Sequence, residues 1–421
     1  MNTDNLNLEI ANLCEKAKKA SYSLALSSSE TRNDALKNIS DELKKSEVIQ
    51  EIIEKNQLDI KNAREMGISE ALIDRLTLNE KRILNIAAAL IKIVDLPDPL
   101  GKGDRWVRPN GLKIERVSVP LGVCGMIYES RPNVTVDAAA LCIKAGNAIV
   151  LRGGKEAINS NKILTDIVRR SIAKAGIDPD IVQLIENTSR ESSTILMKQN
   201  GKIDVLIPRG GVSLKKSVIE NASVPVIETG AGNCHIYIDD MADFDMAVNI
   251  VYNAKTSRPS VCNAVETVLI SEKIYKEILP LVSDKLAEMN VELRGCERTR
   301  EVLKDIKEAT EDDYYTEYND FILALKVVDN LDEAIEHINK HNTKHSEAIV
   351  TKDISRAKEF QLRIDAASIY VNASTRFTDG EEFGFGAEIG ISTSKLHARG
   401  PVGITELTTY KYLIEGDGAV R

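Results

Sequence analysis

The sequence contains no C-x-x-C pair, no signal-peptide pattern, no apolar run long enough to cross a bilayer and no internal repeat. Its six cysteines (Cys14, Cys124, Cys142, Cys234, Cys262 and Cys296) stand far apart. That spacing fits free thiols in a reducing cytosol better than a disulfide framework or a zinc site. The polar start Met-Asn-Thr-Asp-Asn leads us to expect a cytoplasmic location with no membrane attachment. Excess positive charge is lacking too. A net charge of −9 argues against nucleic acid as the main partner, although small anions respond to local charge. No G-x-G-x-x-G occurs, which excludes the ordinary Rossmann fingerprint. What remains is a chain of 421 residues, 43% hydrophobic and 28% charged. That is a soluble globular composition, too long for one ordinary core.

Residues 1–95 read as helices. Leu36, Ile39 and Leu43 share one face at helical spacing, and Ser27 with Glu30 has the form of a capping box. Asn79-Glu80 marks the start of a helix carrying Ile83, Ile86, Ala87 and Leu90. The turn-rich 97–110 and the strand-like Leu112–Val119 predict a projecting hairpin holding Trp106, the single tryptophan. It fits either a surface loop or an oligomerisation arm. From Pro120 short apolar strands alternate with helices, the pattern of an α/β sheet. The strands are Gly122–Tyr128, Ala148–Leu151, Ile181–Ile185 and Val205–Ile207. A new strand series begins at His235, which predicts a domain boundary just before it.

Two of these strands end in glycine turns with basic residues: Arg152-Gly153-Gly154-Lys155 and Arg209-Gly210-Gly211. A strand, a glycine turn and a helix start together suit phosphate binding. One such turn is weak evidence, but two in one α/β region favour a dinucleotide or phosphate ligand. Arg152 and Lys155 stand where many NAD-specific sites carry a carboxylate, which favours NADP(H). Glu228 ends an apolar strand at a small-residue turn. It fits a general base, a cofactor-positioning group or a carboxylate capping backbone amides.

The sharpest chemical signal is Thr256–Thr267, with a lone cysteine between Pro259 and the apolar run Val265–Ile270. Pro259 favours a turn. Cys262 then opens the next ordered element, where backbone N–H groups lower a thiol pKa and hold an oxyanion. Asn263 adds a side-chain donor, and Arg258 a cation for a thiolate or an anionic substrate. A cysteine beside valines also fits a small buried hydrophobe. Near the C-terminus, His397 and Arg399 suit an anionic substrate or a surface turn. His337, His341 and His345 recur every four residues, as in a helical metal site. However, Asn342-Thr343 end that helix and no acidic or cysteine ligand completes the set, so no metal is expected.

Several stretches in order resemble, end to end, the gamma-glutamyl phosphate reductase branch of the aldehyde dehydrogenase superfamily. They are Arg258-Pro-Ser-Val-Cys-Asn-Ala-Val-Glu-Thr267, Glu228-Thr-Gly-Ala-Gly-Asn-Cys-His235, Ala334–Ile338 with His345–Ile349, and His397–Gly403 with Leu407–Lys411. Asn342 departs from the glycine or serine usual there, although asparagine also tolerates left-handed turns. The resemblance implies an α/β, aldehyde dehydrogenase-like fold in three parts. These are a Rossmann-type NADP(H)-binding domain (1–103 and 117–228), an α/β catalytic domain holding the nucleophile Cys262 (229–394), and an oligomerisation element (104–116 and 395–421), hence a homo-oligomer. It implies NADPH-dependent reduction of L-glutamyl 5-phosphate to L-glutamate 5-semialdehyde with release of phosphate, through a cysteinyl thioester. This is the second step of proline biosynthesis from glutamate.

On the same ground Asn263 and the Cys262 amide are oxyanion donors, with a second donor from the loop Ser130–Asn133. Arg152, Gly153 and Lys155 grip the adenosine ribose. Arg209, Gly210, Gly211 and Glu228 lie along the cofactor, and Glu317 holds the nicotinamide ribose. Ser130, Arg258, His397 and Arg399 face the substrate. Because the substrate is a labile acyl phosphate, contact with glutamate 5-kinase is an expected partnership. The alternative is a hydrolytic aldehyde dehydrogenase acting on another small aldehyde, in which a glutamate placed like Glu228 activates water.

Overall fold

The computed structural model describes residues 3–420. They form two compact units. The first holds the chain up to Thr229, Gly384–Gly390 and the chain from Val402; the second holds Gly230–Phe383 and Ile391–Pro401.

The first unit opens with five helices: α1 (Thr3–Ala25), α2 (Ser29–Leu43), α3 (Ser46–Glu65), α4 (Glu70–Leu76) and α5 (Glu80–Asp95). The helical spacing of apolar residues buries Leu36, Ile39 and Leu43 on α2 and Ile83, Ile86, Ala87 and Leu90 on α5. The cap of α2 is Ser28, whose side chain accepts from the Thr31 amide, rather than the expected Ser27 with Glu30. After β1 (Gly103–Val107) and β2 (Lys113–Pro120) come β3 (Val123–Tyr128), α6 (Asn133–Lys144), β4 (Ala148–Arg152), α7 (Ile158–Lys174), β5 (Val182–Leu184), α8 (Arg190–Leu196), β6 (Val205–Arg209) and α9 (Val212–Asn221). Strands β3 to β6 make a parallel sheet in the order β5-β4-β3-β6, so the order reverses between β3 and β6. In open α/β sheets such a switch point opens a crevice at the strands' carboxyl ends. The strand expected to end at Glu228 is reduced to one bridge, Leu206 with Val226.

The expected hairpin is present, and the C-terminal segment joins it. Strand β2 spans the expected division at 116/117 and pairs on one side with β1 and on the other with the last strand, Thr408–Glu415. Trp106, Val107, Tyr410, Tyr412 and Ile414 of this antiparallel sheet are exposed.

In the second unit β7 (Cys234–Ile238), α10 (Phe244–Thr256), β8 (Val265–Ser271), α11 (Tyr275–Ala287), β9 (Glu292–Gly295), α12 (Glu297–Val302), β10 (Lys307–Glu308), β11 (Ile322–Val328), α13 (Leu331–His341), β12 (Ser346–Val350), α14 (Ile354–Arg363) and β13 (Ser368–Val371) follow in turn. The strands form one parallel sheet, β10-β9-β11-β8-β7-β12-β13. Alternating residues point to opposite faces. Ile236, Val268 and Leu325 pack with Val251 of α10 and Leu279 of α11. Tyr237, Leu269 and Ile349 pack with Ile338 of α13 and Phe360 of α14. Short pairs β14 (Ile391–Ser392) and β15 (Gly400–Pro401) complete this unit, and the last strand of the chain is β16. No helix among the described residues is long and apolar enough to cross a membrane.

Candidate active site

The segments entering β7, β8, β11 and β12 carry Gly232, Cys262, Glu317 and Thr343, so the parallel sheet gathers four distant stretches at its amino edge. Cys262 is half-buried in the turn between α10 and β8, where the Ala264 amide donates to the Val261 carbonyl at 3.0 Å. The element it precedes is a strand, so no helix start acts on this thiol.

The Gly232 backbone lies directly against the Cys262 carbonyl. A Cβ on Gly232 would sit 1.5 Å from that oxygen, so glycine is required by close approach. The Cys234 thiol donates to the same carbonyl at 3.2 Å. Glu317 Oε1 accepts from the Gly232 amide at 2.8 Å. Thr343 Oγ1 donates to the Ala231 carbonyl at 2.6 Å and accepts from the Asn233 amide at 3.0 Å. Thus the loop behind Cys262 is fixed from the segments entering both β11 and β12.

Asn263 has a different job from the one expected. Its Nδ2 donates to the carbonyls of Arg376 (3.2 Å) and Thr378 (3.0 Å), and its Oδ1 accepts from the Arg376 guanidinium. Both amide hydrogens are engaged, so the side chain braces the loop instead of awaiting an oxyanion. Thr375 Oγ1 donates to the Asn263 carbonyl at 2.7 Å, and Arg376 Nε donates to Ser257 Oγ at 2.9 Å. Thr378 Oγ1 also contacts Ser346 Oγ (2.6 Å) and the Tyr370 hydroxyl (2.7 Å). Sequence reasoning missed Thr375, Arg376 and Thr378. The available signal was Asn372, which follows β13 with a left-handed φ of 55° and turns the chain.

Beneath the site lies a fully buried ion pair, Lys255 Nζ to Glu266 Oε2 at 2.6 Å. Glu266 Oε1 also accepts from the Asn319 amide at 3.3 Å. Burial lowers the Lys255 ammonium pKa and pushes the Glu266 carboxyl up to about 7. The histidines also cluster. His235 Nδ1 lies 3.0 Å from Glu347 Oε2, the His337 and His341 rings stack at 4.0 Å between centroids, and Lys326 Nζ donates to His337 Nδ1 at 3.1 Å. Burial, aided by His235, His341, Lys326 and Lys340, drives the His337 pKa well below the usual histidine range. Helix α13 ends at His341 as expected, and no group suited to a metal occurs among the described residues.

Of the substrate-facing candidates, Arg258 is exposed. Arg399 is not open for an anion, because Asp365 already matches it at 2.7 Å. Lys395 and Arg399 hold the Asp365 carboxyl at about 2. His397 sits nearby in sequence with a left-handed φ of 66°.

In the first unit the turn after β6 lies at the switch point. The Gly211 amide, at the start of α9, donates to Glu129 Oε2 at 2.8 Å, and the same oxygen lies 2.5 Å from where a Gly210 Cβ would be. The carboxylate stands in for an anion there. This is the observation that fits a cofactor phosphate on Gly210 and Gly211, with the Arg209 cation alongside. Arg152 corrects the sequence reading. Its guanidinium is buried and donates to the carbonyls of Thr188 (2.6 Å), Ser189 (2.7 Å) and Gly153 (3.2 Å), and to Ser192 Oγ (3.2 Å). It shapes the loop before α8, with four of its five N–H donors engaged by that loop, Ser192 and Gly153 and turned away from a ribose phosphate. Lys155 is exposed and keeps that role open. Gly153 serves packing, since a Cβ would lie 2.1 Å from Asn161 Nδ2. The Ser130 amide and hydroxyl both donate to Glu156 Oε1, at 2.7 and 2.6 Å. Glu228 is half-buried.

The sequence model of the aldehyde dehydrogenase family matches residues 6–300 and 317–413. A gamma-glutamyl phosphate reductase of Clostridium perfringens is 56% identical over 417 residues, covering 99% of this chain and all of that one. The crystal structure of gamma-glutamyl phosphate reductase from Thermotoga maritima superposes with a TM-score of 0.96 at 50% identity, covering 98% of this chain and 100% of that one. An acetylating aldehyde dehydrogenase from Geobacillus thermoglucosidasius shares the fold, with a TM-score of 0.70 at 19% identity over 100% of this chain and 99% of that one. With its thiol between a helix and a parallel strand, its glycine packed on that thiol's carbonyl and these relatives along its whole length, the chain belongs to the aldehyde dehydrogenase family, in its gamma-glutamyl phosphate reductase branch.

Proposed function

We propose that this protein reduces L-glutamyl 5-phosphate to L-glutamate 5-semialdehyde with NADPH and releases phosphate, the second step of proline biosynthesis from glutamate. The carrying observation is Cys262, whose carbonyl packs on Gly232 and accepts from the Cys234 thiol, in a chain similar along its length to enzymes named for this reaction. The Cys262 thiolate attacks the acyl phosphate carbonyl; a C–S bond forms and phosphate leaves. This divides a difficult reduction into two easier steps. A bound nicotinamide cofactor would supply the hydride; the Cys262 sulfur holds the acyl group as a thioester and leaves when the aldehyde forms. Glu317 fixes Gly232 against the Cys262 carbonyl, and Lys155 with the Arg209-Gly210-Gly211 turn would hold the cofactor's phosphates. We read Glu228 as structural or as a proton carrier, because activating water would destroy the acyl phosphate.

The test runs the reaction backwards, from glutamate semialdehyde and NADP⁺ with and without inorganic phosphate, following NADPH absorbance. We expect steady turnover to require phosphate and NADP⁺ to outperform NAD⁺. Equal rates without phosphate would assign the chain to the hydrolytic alternative, with Glu228 as general base.

The same proposal makes the sheet of β1, β2 and β16 an oligomer contact, since it exposes Trp106, Tyr410, Tyr412 and Ile414. Light scattering should give a mass above one chain, and Ile414→Asp should lower it; a wild-type monomer contradicts this reading.

A further inference from the structure

We propose that Arg376 and Arg258 together bind the phosphate group of the acyl phosphate, making Arg376 a specificity residue for phosphorylated over free acyl substrates. The proposal rests on the reaction just given. Arg376 is tied to Ser257 and to Asn263, the residues that bracket Arg258 and Cys262, so its guanidinium lies across the nucleophile's own loop. The charge balance is unusual. In this unit Arg294, Arg298, Arg300, Arg356, Arg363 and Arg399 each face a carboxylate. Among the described residues Arg258 and Arg376 form no such ion pair, although Arg376 is half-buried and feels the charge of Arg258 more than that of Asp379. Two neighbouring guanidinium groups with no paired carboxylate repel each other, and Asp379 offsets this only in part. A dianion removes that repulsion, and the planar forks match phosphate oxygens.

Position selects the phosphate over the substrate's α-carboxylate. Arg376 is bonded to the residue next to Cys262, and the phosphate is attached to the carbonyl under attack, whereas the α-carboxylate lies at the far end of the glutamyl chain. As the C–S bond forms, the C–O bond to phosphate breaks and its electron pair goes to the departing oxygen. The two arginines neutralise that charge, and no proton is needed.

The experiment uses Arg376→Gln, Arg376→Lys and Arg258→Gln in the oxidative assay with varied inorganic phosphate. We expect the phosphate KM to rise about 10–100-fold in the glutamine variants, the loss of a charge-assisted contact, and to recover partly with lysine. The first-turnover burst of NADPH, which needs Cys262 but no phosphate, should persist. An unchanged phosphate KM, or a burst lost in parallel with it, overturns the assignment. Alkylation of Cys262, followed by mass spectrometry, gives a second measure. The rate with anionic iodoacetate relative to neutral iodoacetamide should fall in Arg376→Gln, and an unchanged ratio also overturns it. If wild-type turnover ignores phosphate, the reaction reading fails and the phosphate assignment with it; if wild type depends on phosphate but the variants do not differ, only the assignment fails.

Discussion

Cys262→Ser should lower turnover by on the order of 10³-fold or more while leaving the fold intact. A serine hydroxyl is not ionised at neutral pH and is a poor leaving group when the aldehyde must be expelled, so both halves of the reaction suffer. The half-buried position accepts the smaller oxygen without opening a cavity. Cys124→Ala and Cys142→Ala change buried thiols on β3 and α6 of the other unit, so they should retain most activity. Single-turnover kinetics with matched circular dichroism spectra make the comparison. Similar losses in all three variants would remove the nucleophile from Cys262.

Lys255→Met should cost about 3–5 kcal/mol of stability, because it leaves the Glu266 carboxylate buried without its partner. The pair is completely enclosed at 2.6 Å, and Glu266 also holds Asn319, two residues from the Glu317 that fixes the active-site loop. The loss should therefore come with weaker catalysis. The double variant Lys255→Met, Glu266→Leu should recover most of the stability, since replacing both charges by apolar groups removes the stranded one. Denaturant unfolding reads both effects. A single variant within about 1 kcal/mol of wild type, or a double variant no better than the single, would falsify this account.

The alternation of strands and helices after Pro120, the hairpin, the end of α13 and the turn that carries Cys262 were legible in the sequence, because each depends on local periodicity or a local motif. Arg152 was not. Its basic character after a strand suggested a ligand, but its donors turn inward to the carbonyls of a loop reached only in three dimensions. Arg376 was invisible for the opposite reason. It lies in an unremarkable loop and acquires meaning only when β13 and the Asn372 turn bring it to Asn263. Asn263 read as a donor awaiting substrate because sequence cannot reveal that Arg376 and Thr378 offer carbonyls to it. Chemistry-bearing residue types are visible in the sequence; whether their hydrogen bonds are already engaged is decided by distant segments.

Strand β2 finds its second partner in β16, with Pro120 opposite Thr408, and Asn147 Nδ2 donates to the Leu407 carbonyl at 2.8 Å. During synthesis on a ribosome, the unit that begins first is therefore finished last. Its four-stranded sheet and helices can form early, but β2 keeps an open edge until the whole second unit has been translated. Unpaired strand edges of this kind are where nascent chains join one another. Ribosome-bound intermediates of this protein thus carry an aggregation hazard at β2 that ends when β16 arrives.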